Sequence, residues 1–259
     1  MSELRDICKP LILISNDDGV YTKGLHHLID CVKDMGEVVV VAPDAPRSGQ
    51  SSAITVGSPL RITRHPDYNG AQIYSVNGTP VDCVKLALNT IVPRRPDLLL
   101  SGINHGSNSG NSIIYSGTMG AVLETSMLNI PSIGYSLLHH SLQADFSETT
   151  PFIKSITAKV LACGLPREVC LNVNFPAKVK IEGLKVVKAA RGHWTEEYRE
   201  YEDPNGKPFY ILTGKYVPDN PDDDTTDVYW LDRNYATVVP ARADQTAADA
   251  IKAVGEIVL

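Results

Sequence analysis

Two adjacent carboxylates near the start of the chain are the residues with the clearest capacity for chemistry. Asp17 and Asp18 follow the apolar run Leu11–Ser15, and Gly19 comes directly after them. Two carboxylates that leave a buried strand together repel each other and lose hydration, which a bound divalent cation offsets. Hard oxygen ligands favour Mg²⁺, Mn²⁺ or Ca²⁺ over zinc. The alternative is an Asx-rich turn that caps the next helix, but its place after the first core strand favours the cation site.

Two further polar segments follow predicted strands. Segment 42–52 contains two prolines and several hydroxyls, including that of Ser48, and by itself is also explained as an exposed serine-rich loop. Segment 101–111 is rich in glycine and asparagine, and residues 115–120 then open a helix whose free N–H groups form an anion site. Ligands of open parallel sheets gather at the carboxyl ends of the strands, so all three segments are candidates for one site.

The elements that position these segments alternate along the first two thirds of the chain. Apolar runs without polar alternation are typical of parallel strands buried on both faces. Thr79 before Pro80 is typical of a helix start. Repeated strand–helix alternation predicts an α/β fold with a parallel sheet and helices on both faces. The predicted strands are 11–15, 37–42, 97–101, 132–135 and 170–174, with a β-rich excursion at 53–63 and 72–76; the predicted helices are 23–35, 118–127, 152–162 and one from Pro80.

The last third of the chain has a different composition. Aromatic and turn residues are more frequent from residue 184 onward, and segment 219–227 is acidic. This pattern predicts strands or hairpins that project from the core, closed by a short helix near 247–253. We expect one domain, 1–259, in which about 184–259 form an extension or oligomerisation arm. A surface excursion folded back on its own chain is the alternative.

Composition limits the class of partner. The chain of 259 residues has 24 Lys and Arg against 30 Asp and Glu, a formal net charge of −6, which argues against nucleic acid polymers but not against a small phosphorylated substrate. Five cysteines without C-x-x-C spacing disfavour a disulfide framework. The first ten residues lack the apolar region of a signal peptide, and apolar runs are shorter than the ~20 residues of a membrane span. We therefore expect a cytoplasmic protein with no membrane contact.

Five ordered blocks closely resemble the survival protein E (SurE) family of metal-dependent nucleotidases. The blocks are 12–19, 42–44 with Ser48 and Gly49, 76–80, 101–108 and 115–118. The resemblance implies a Rossmann-like three-layer αβα core with a mainly parallel sheet. It also implies a C-terminal β-rich extension that joins protomers into a homodimer or homotetramer.

The resemblance further implies a reaction and the residues that carry it out. Family members hydrolyse nucleoside 5′- and 3′-monophosphates or other small phosphate monoesters, and some shorten polyphosphate. One divalent metal ion per subunit, Mg²⁺ or Mn²⁺, is expected on Asp17, Asp18, Ser48 and Asn104. Such an ion would neutralise phosphoryl charge and lower the pKa of its bound water to give a nucleophile. The expected catalytic residues are Asp17, Asp18, Asn104 and His105, and the expected phosphate-holding residues are Asn77, Ser107, Asn108, Ser116 and Thr118.

Several interpretations stay open. His105 either protonates the leaving alkoxide or has a structural role. A haloacid-dehalogenase-like phosphatase would use an Asp after the first strand as a nucleophile and form an aspartyl-phosphate. Its second Asp normally lies two positions further on, whereas Asp17 and Asp18 are adjacent. A non-catalytic nucleotide-binding protein is the third possibility.

Overall fold

A mainly parallel sheet of nine strands organises the residues that the computed structural model describes, which are 9–141, 143–177 and 179–258. The strands are β1 Leu11–Ser15, β2 Glu37–Pro43, β3 Ile62–Tyr68, β4 Ala71–Val76, β5 Leu98–His105, β6 Ser132–Leu137, β7 Cys170–Phe175, β8 Leu184–Val186, β9 Gly192–Thr195, β10 Tyr198–Glu202, β11 Pro208–Leu212, β12 Lys215–Pro218 and β13 Ala236–Ala241. The helices are α1 Lys23–Val32, α2 Pro80–Leu86, α3 Gly117–Met127, α4 Thr150–Cys163, α5 Asp227–Leu231 and α6 Ile251–Val258.

The strand order explains where a ligand can bind. Across the sheet the order is β3-β4-β2-β1-β5-β6-β7-β13-β8. Pairing is parallel except between β3 and β4 and between β7 and β13. The chain runs outward from β1 through β2 to β4 and then crosses back to β5 on the other side of β1. Such a reversal opens a crevice at the carboxyl ends of the two strands, here the ends of β1 and β5.

Strand β1 is buried on both faces, as its unbroken apolar sequence predicts. Ile12 and Ile14 belong to one hydrophobic core, and Leu11 and Leu13 belong to a second core. Helices α1 and α4 pack together over the first core, while α2 and α3 pack together over the second. The predicted Rossmann-like α/β architecture, with helices on both faces of a mainly parallel sheet, is confirmed.

Local signals predicted the start of α2 correctly and the β-rich excursion at 53–63 incorrectly, and β5 runs on to His105 beyond its predicted end at 101. Thr79 caps α2 in a reciprocal capping box with Asp82, as the Thr-Pro sequence predicts. The strand predicted over 53–63 is wrong for most of its length, because β3 begins only at Ile62. The backbone N–H and the hydroxyl of Thr55 both donate to the Asp82 carboxylate. This part of the chain is therefore held by a side chain instead of by a neighbouring strand.

The C-terminal extension divides between the sheet and the surface. Strands β8 and β13 lie in the central sheet, whereas β9 pairs with β12 and β10 pairs with β11 in two small antiparallel sheets. We call residues 192–218, which contain these four strands, the 192–218 hairpin. Among the described residues, no helix is both long and apolar enough to cross a membrane.

Candidate active site

The turn after β1 presents the two adjacent carboxylates. The side chain of Asn16 holds this turn, since its Oδ1 accepts from Gly19 N at 3.1 Å and its Nδ2 donates to Gly19 O at 3.0 Å. The backbone carbonyl of Asp17 accepts from Arg47 N at 2.7 Å. The loop after β2 is thus tied directly to the turn after β1, and the segment that carries Ser48 lies beside the carboxylates.

A change of register at the end of β5 brings Asn104 and His105 to the same edge. The pairing of β5 with β6 shifts between Ser101 and Asn104. Gly102 lies within this shift with φ +128°, and a Cβ there would lie 2.3 Å from Tyr135 O, so only glycine fits. Asn104 Nδ2 donates to Gly106 O at 2.9 Å. The amide oxygen of Asn104 is therefore the atom available to a ligand.

Asp18 is held by His105 from the neighbouring strand. Its Oδ2 accepts from the His105 backbone N at 3.0 Å and lies 2.8 Å from His105 Nδ1. The imidazole packs edge-on against Phe146, with ring centroids 5.2 Å apart. Its Nε2 is buried and has no hydrogen-bond partner among the described residues. These contacts fix the orientation of both side chains and leave Asp18 Oδ1 without a bond to His105.

The Asp17 carboxylate is buried and lies against the start of α3. Its Oδ1 accepts from the Thr118 hydroxyl at 2.6 Å. Burial and the negative charge of Asp18 raise the pKa of Asp17 from 3.8 to about 6, against the opposing effect of the Thr118 hydrogen bonds. A Cβ on Gly117 would lie 2.9 Å from Asp17 Cβ, so glycine permits this close approach of the helix. The arrangement concentrates negative charge that lacks a compensating cation among its described contacts.

One cavity of about 500 Å³ joins most of the predicted residues, a volume within the roughly 300–1,000 Å³ of small-molecule sites. Predicted site residues in its wall are Asp17, Ser48, Asn104, His105, Ser107, Asn108 and Ser116. Asp18 lies at the edge of the neighbouring cleft, together with Asp44 and Lys23. The structure therefore brings the turn after β1, the loop after β2, the end of β5 and the start of α3 around one space.

The predicted phosphate-holding residues have different surroundings. Ser116 caps α3 by accepting from Met119 N at 3.0 Å, and Asn108 Nδ2 donates to Ser136 Oγ at 2.8 Å. Thr118 and Asn77 do not line the cavity. The Thr118 hydroxyl orients Asp17, and the Asn77 side chain binds the backbone of residues 59 and 61.

The donor set fits a hard divalent cation. Asp17 and Asp18 offer carboxylate oxygens, and Asn104 and Ser48 offer neutral oxygens, which is the ligand chemistry of Mg²⁺ and Mn²⁺. No group of three or more His, Cys, Asp or Glu side chains in the described residues is arranged to hold a metal ion. The proposed site has only two side chains of these types, Asp17 and Asp18, because its other two ligands are an amide and a hydroxyl. The feature that favours a cation here is the uncompensated negative charge at Asp17.

Sequence reasoning missed the opposite wall of the cavity. This wall comes from the 192–218 hairpin, from the turn before α3 and, through His140, from the loop after β6. Its residues are Ser112, Tyr115, His140, Trp194, Glu197, Tyr198, Leu212 and Thr213. The aromatic composition of the extension was visible in the sequence, but no local signal placed it beside residues about ninety positions earlier.

The fold and the site together define an α/β protein with a cavity at the carboxyl edge of a parallel sheet, lined by carboxylates, amides and hydroxyls. Comparison with known proteins identifies the family. Residues 12–196 match the family described as Survival protein SurE. The chain belongs to this family, as the resemblance predicted, and not to the haloacid-dehalogenase-like family.

Individual relatives cover nearly the whole chain. The protein called 5′-nucleotidase SurE from Phocaeicola vulgatus is 47% identical over 239 residues, covering 92% of this chain and 93% of that protein. A protein of the same name from Christiangramia forsetii is 48% identical over 249 residues, covering 94% and 95%. The crystal structure of the SurE protein from Aquifex aeolicus superposes with a TM-score of 0.82 at 36% identity, covering 96% of this chain and 99% of that one.

Proposed function

We propose that this chain is a phosphoric monoester hydrolase that releases phosphate from nucleoside 5′-monophosphates in a metal-dependent reaction. The observation that carries the proposal is the cavity in which the Asp17 carboxylate, the Asn104 amide and the capping residue of a helix N-terminus meet, with Asp18 adjacent in the neighbouring cleft. Relatives at 47% and 48% identity that cover nearly the whole chain are named 5′-nucleotidases. The membership of the chain in the SurE family supports the same activity.

The charge of the cavity supports metal dependence. Its described lining contains Asp17 and Glu197 but no Lys or Arg. A phosphate dianion would meet net negative charge in such a cavity, and low local dielectric makes that repulsion strong. When bound by Asp17, Asp18, Ser48 and Asn104, Mg²⁺ or Mn²⁺ would neutralise phosphate charge and provide a water of lowered pKa. We therefore propose one divalent ion per chain.

The remaining polar residues position the substrate. The N-terminus of α3, an eleven-residue helix capped by Ser116, supplies backbone N–H groups and the positive end of a helix dipole. Ser107 and Asn108 in the cavity wall provide further donors for phosphate oxygens. His105 positions the Asp18 carboxylate through its backbone N and Nδ1, and its action as proton donor to the leaving oxygen stays a prediction from the sequence.

Further properties belong to this proposal. Hydrolysis of 3′-monophosphates and shortening of polyphosphate are expected from the resemblance. We also propose a homodimer or homotetramer formed through the extension. One face of the 192–218 hairpin exposes Tyr201, Phe209 and Ile211, and α6 exposes Ile251, Val254, Ile257 and Val258. These apolar surfaces are suited to contact between copies of the chain.

Metal removal tests the proposal directly. Phosphate release from nucleoside 5′-monophosphates is expected to fall to background after dialysis against a chelator and to return when Mn²⁺ or Mg²⁺ is added, because the cavity lacks its own positive charge. A colorimetric phosphate assay over nucleotides and polyphosphate, repeated with each metal, measures this. Full activity in the chelated protein would contradict metal dependence, and no release from any nucleotide under any metal would contradict the nucleotidase function.

A further inference from the structure

The cavity of the active site has two chemically different ends. One end is formed by acidic, amide and hydroxyl side chains from the sheet edge and α3. The other end is formed by the 192–218 hairpin, which contributes Trp194, Tyr198 and Leu212 together with Glu197 and Thr213. A phosphate ester bound with its phosphate at the polar end extends its organic part toward the hairpin. The aromatic side chains at this end are therefore suited to a planar group of the substrate that carries polar edges.

The hairpin is fixed to the core close to the polar end. Asn111 Nδ2 donates to Gly192 O at 2.9 Å, and Tyr216 donates its hydroxyl to Ala190 O at 2.8 Å. The buried carboxylate of Asp227 accepts from Gly110 N and Ala190 N, both at 2.8 Å. The Asn111 and Asp227 bonds join the base of the hairpin to the turn that precedes α3, and the Tyr216 bond joins β12 to Ala190, just before β9. The aromatic wall is therefore positioned relative to the carboxylates by specific contacts.

The aromatic side chains are held in place but keep open surface. The Trp194 and Tyr216 rings meet edge to face, with centroids 5.8 Å apart. Tyr198 and Leu212 are directly paired across β10 and β11. Trp194 is 39% exposed, and Tyr198 and Leu212 are each 66% exposed. Such rings, fixed at the wall of a cavity, provide stacking surface that a ligand can cover.

We propose that Trp194 and Tyr198 form the nucleobase subsite of this enzyme, with the base covering the rings while the phosphate lies at the carboxylate end. The inference rests on the proposed function, since it assigns the base of that same substrate. Stacking on an aromatic face accepts any base, because every base has a π-face. The subsite therefore predicts a preference for nucleotides over base-free phosphate esters.

The test compares a nucleotide with its base-free counterpart. The ratio of kcat/KM on adenosine 5′-monophosphate to kcat/KM on ribose 5-phosphate is expected to fall about ten-fold in Trp194→Ala and in Tyr198→Ala, as loss of base stacking predicts. The change should be mainly in KM. Tyr198→Ala guards against a general disturbance, because Trp194 also supports Tyr216. Tyr210→Ala is the matched control, since Tyr210 is an exposed tyrosine of β11 outside the cavity lining, and it should leave the ratio unchanged.

Each outcome separates the inference from the function on which it rests. An unchanged ratio in both variants would overturn the base subsite while leaving the nucleotidase function intact. If the wild-type protein hydrolyses neither compound, the proposed nucleotidase function is wrong. The subsite can then still be tested by the binding of adenosine. Adenosine should quench the fluorescence of Trp194 in the wild type and leave that of a Trp194→Phe variant, which retains Trp230, unchanged. Equal quenching of the two proteins, or none in the wild type, would overturn the subsite.

Discussion

Replacing Asp18 by Asn is expected to lower metal-dependent phosphate release by at least about 100-fold, the upper end of the effect of removing a supporting partner at a metal site. In the wild type, Asp18 Oδ2 accepts hydrogen bonds from the backbone N and from Nδ1 of His105, and the amide oxygen of Asn can accept the same two bonds. The amide NH₂ would then occupy the Oδ1 position and repel a cation. The variant should fold, because the contacts to His105 are retained. Steady-state phosphate release and circular dichroism measure the two parts of this expectation.

Asp34→Asn is the control for the Asp18 variant. Asp34 is an exposed acidic residue beyond the end of α1, and its substitution makes the same change of charge. Activity of Asp34→Asn should match that of the wild type. An Asp18→Asn variant with wild-type activity would rule out Asp18 as a participant in the metal site.

The second large effect is expected from replacing Asp17 by Asn, and it is a change in the free energy of unfolding of the metal-free protein. The folded-state pKa of Asp17 is raised from 3.8 to about 6 by burial and by Asp18. The folded protein therefore binds the Asp17 proton more tightly than the unfolded chain does. The stability that this proton contributes is fully present below pH 3.8 and is lost as the pH rises through about 6. This rise in the pKa of Asp17 corresponds to about 3 kcal/mol of unfolding free energy.

The Asp17→Asn variant isolates this contribution. In the presence of a chelator it is expected to be more stable than the wild type at pH 7.5 by up to about 3 kcal/mol, and the difference should shrink toward pH 4. Urea unfolding of both proteins across this pH range measures the difference. Titrating groups that do not interact with Asp17, such as the buried Asp227, are common to both proteins and cancel, whereas relief of the repulsion with Asp18 is part of the measured difference. Parallel stability curves for the two proteins would show that the Asp17 carboxylate is not destabilising.

The sequence predicted those parts of the site that depend on local chemistry. The run Leu11–Ser15 has apolar residues on both faces, so its burial between two helix layers and the turn that follows it were predictable. The Thr79-Pro80 helix start was predictable for the same reason, because the cap and its Asp82 partner lie within one turn. The match of five ordered blocks predicted the family without any knowledge of three-dimensional contacts.

Contacts between segments far apart in the chain could not be predicted from the sequence. The Thr118 hydroxyl binds Asp17, 101 positions earlier, a role that a helix-start residue next to a capping serine does not reveal. Asp227 anchors the base of the 192–218 hairpin to Gly110 across 117 positions. The excursion at 53–63 has a strand-like composition, and the bonds from Thr55 to Asp82 decide its path instead. In each case hydrogen bonds between segments distant in the sequence hold the local structure.

The central claim is that the adjacent carboxylates after β1 hold a divalent cation. Titration of Mn²⁺ into the metal-free protein, with free Mn²⁺ followed by electron paramagnetic resonance, tests this most directly because it does not depend on turnover. We expect one ion bound per wild-type chain and strongly weakened binding in Asp18→Asn. No binding by the wild type, or equal binding by the two proteins, would contradict the claim.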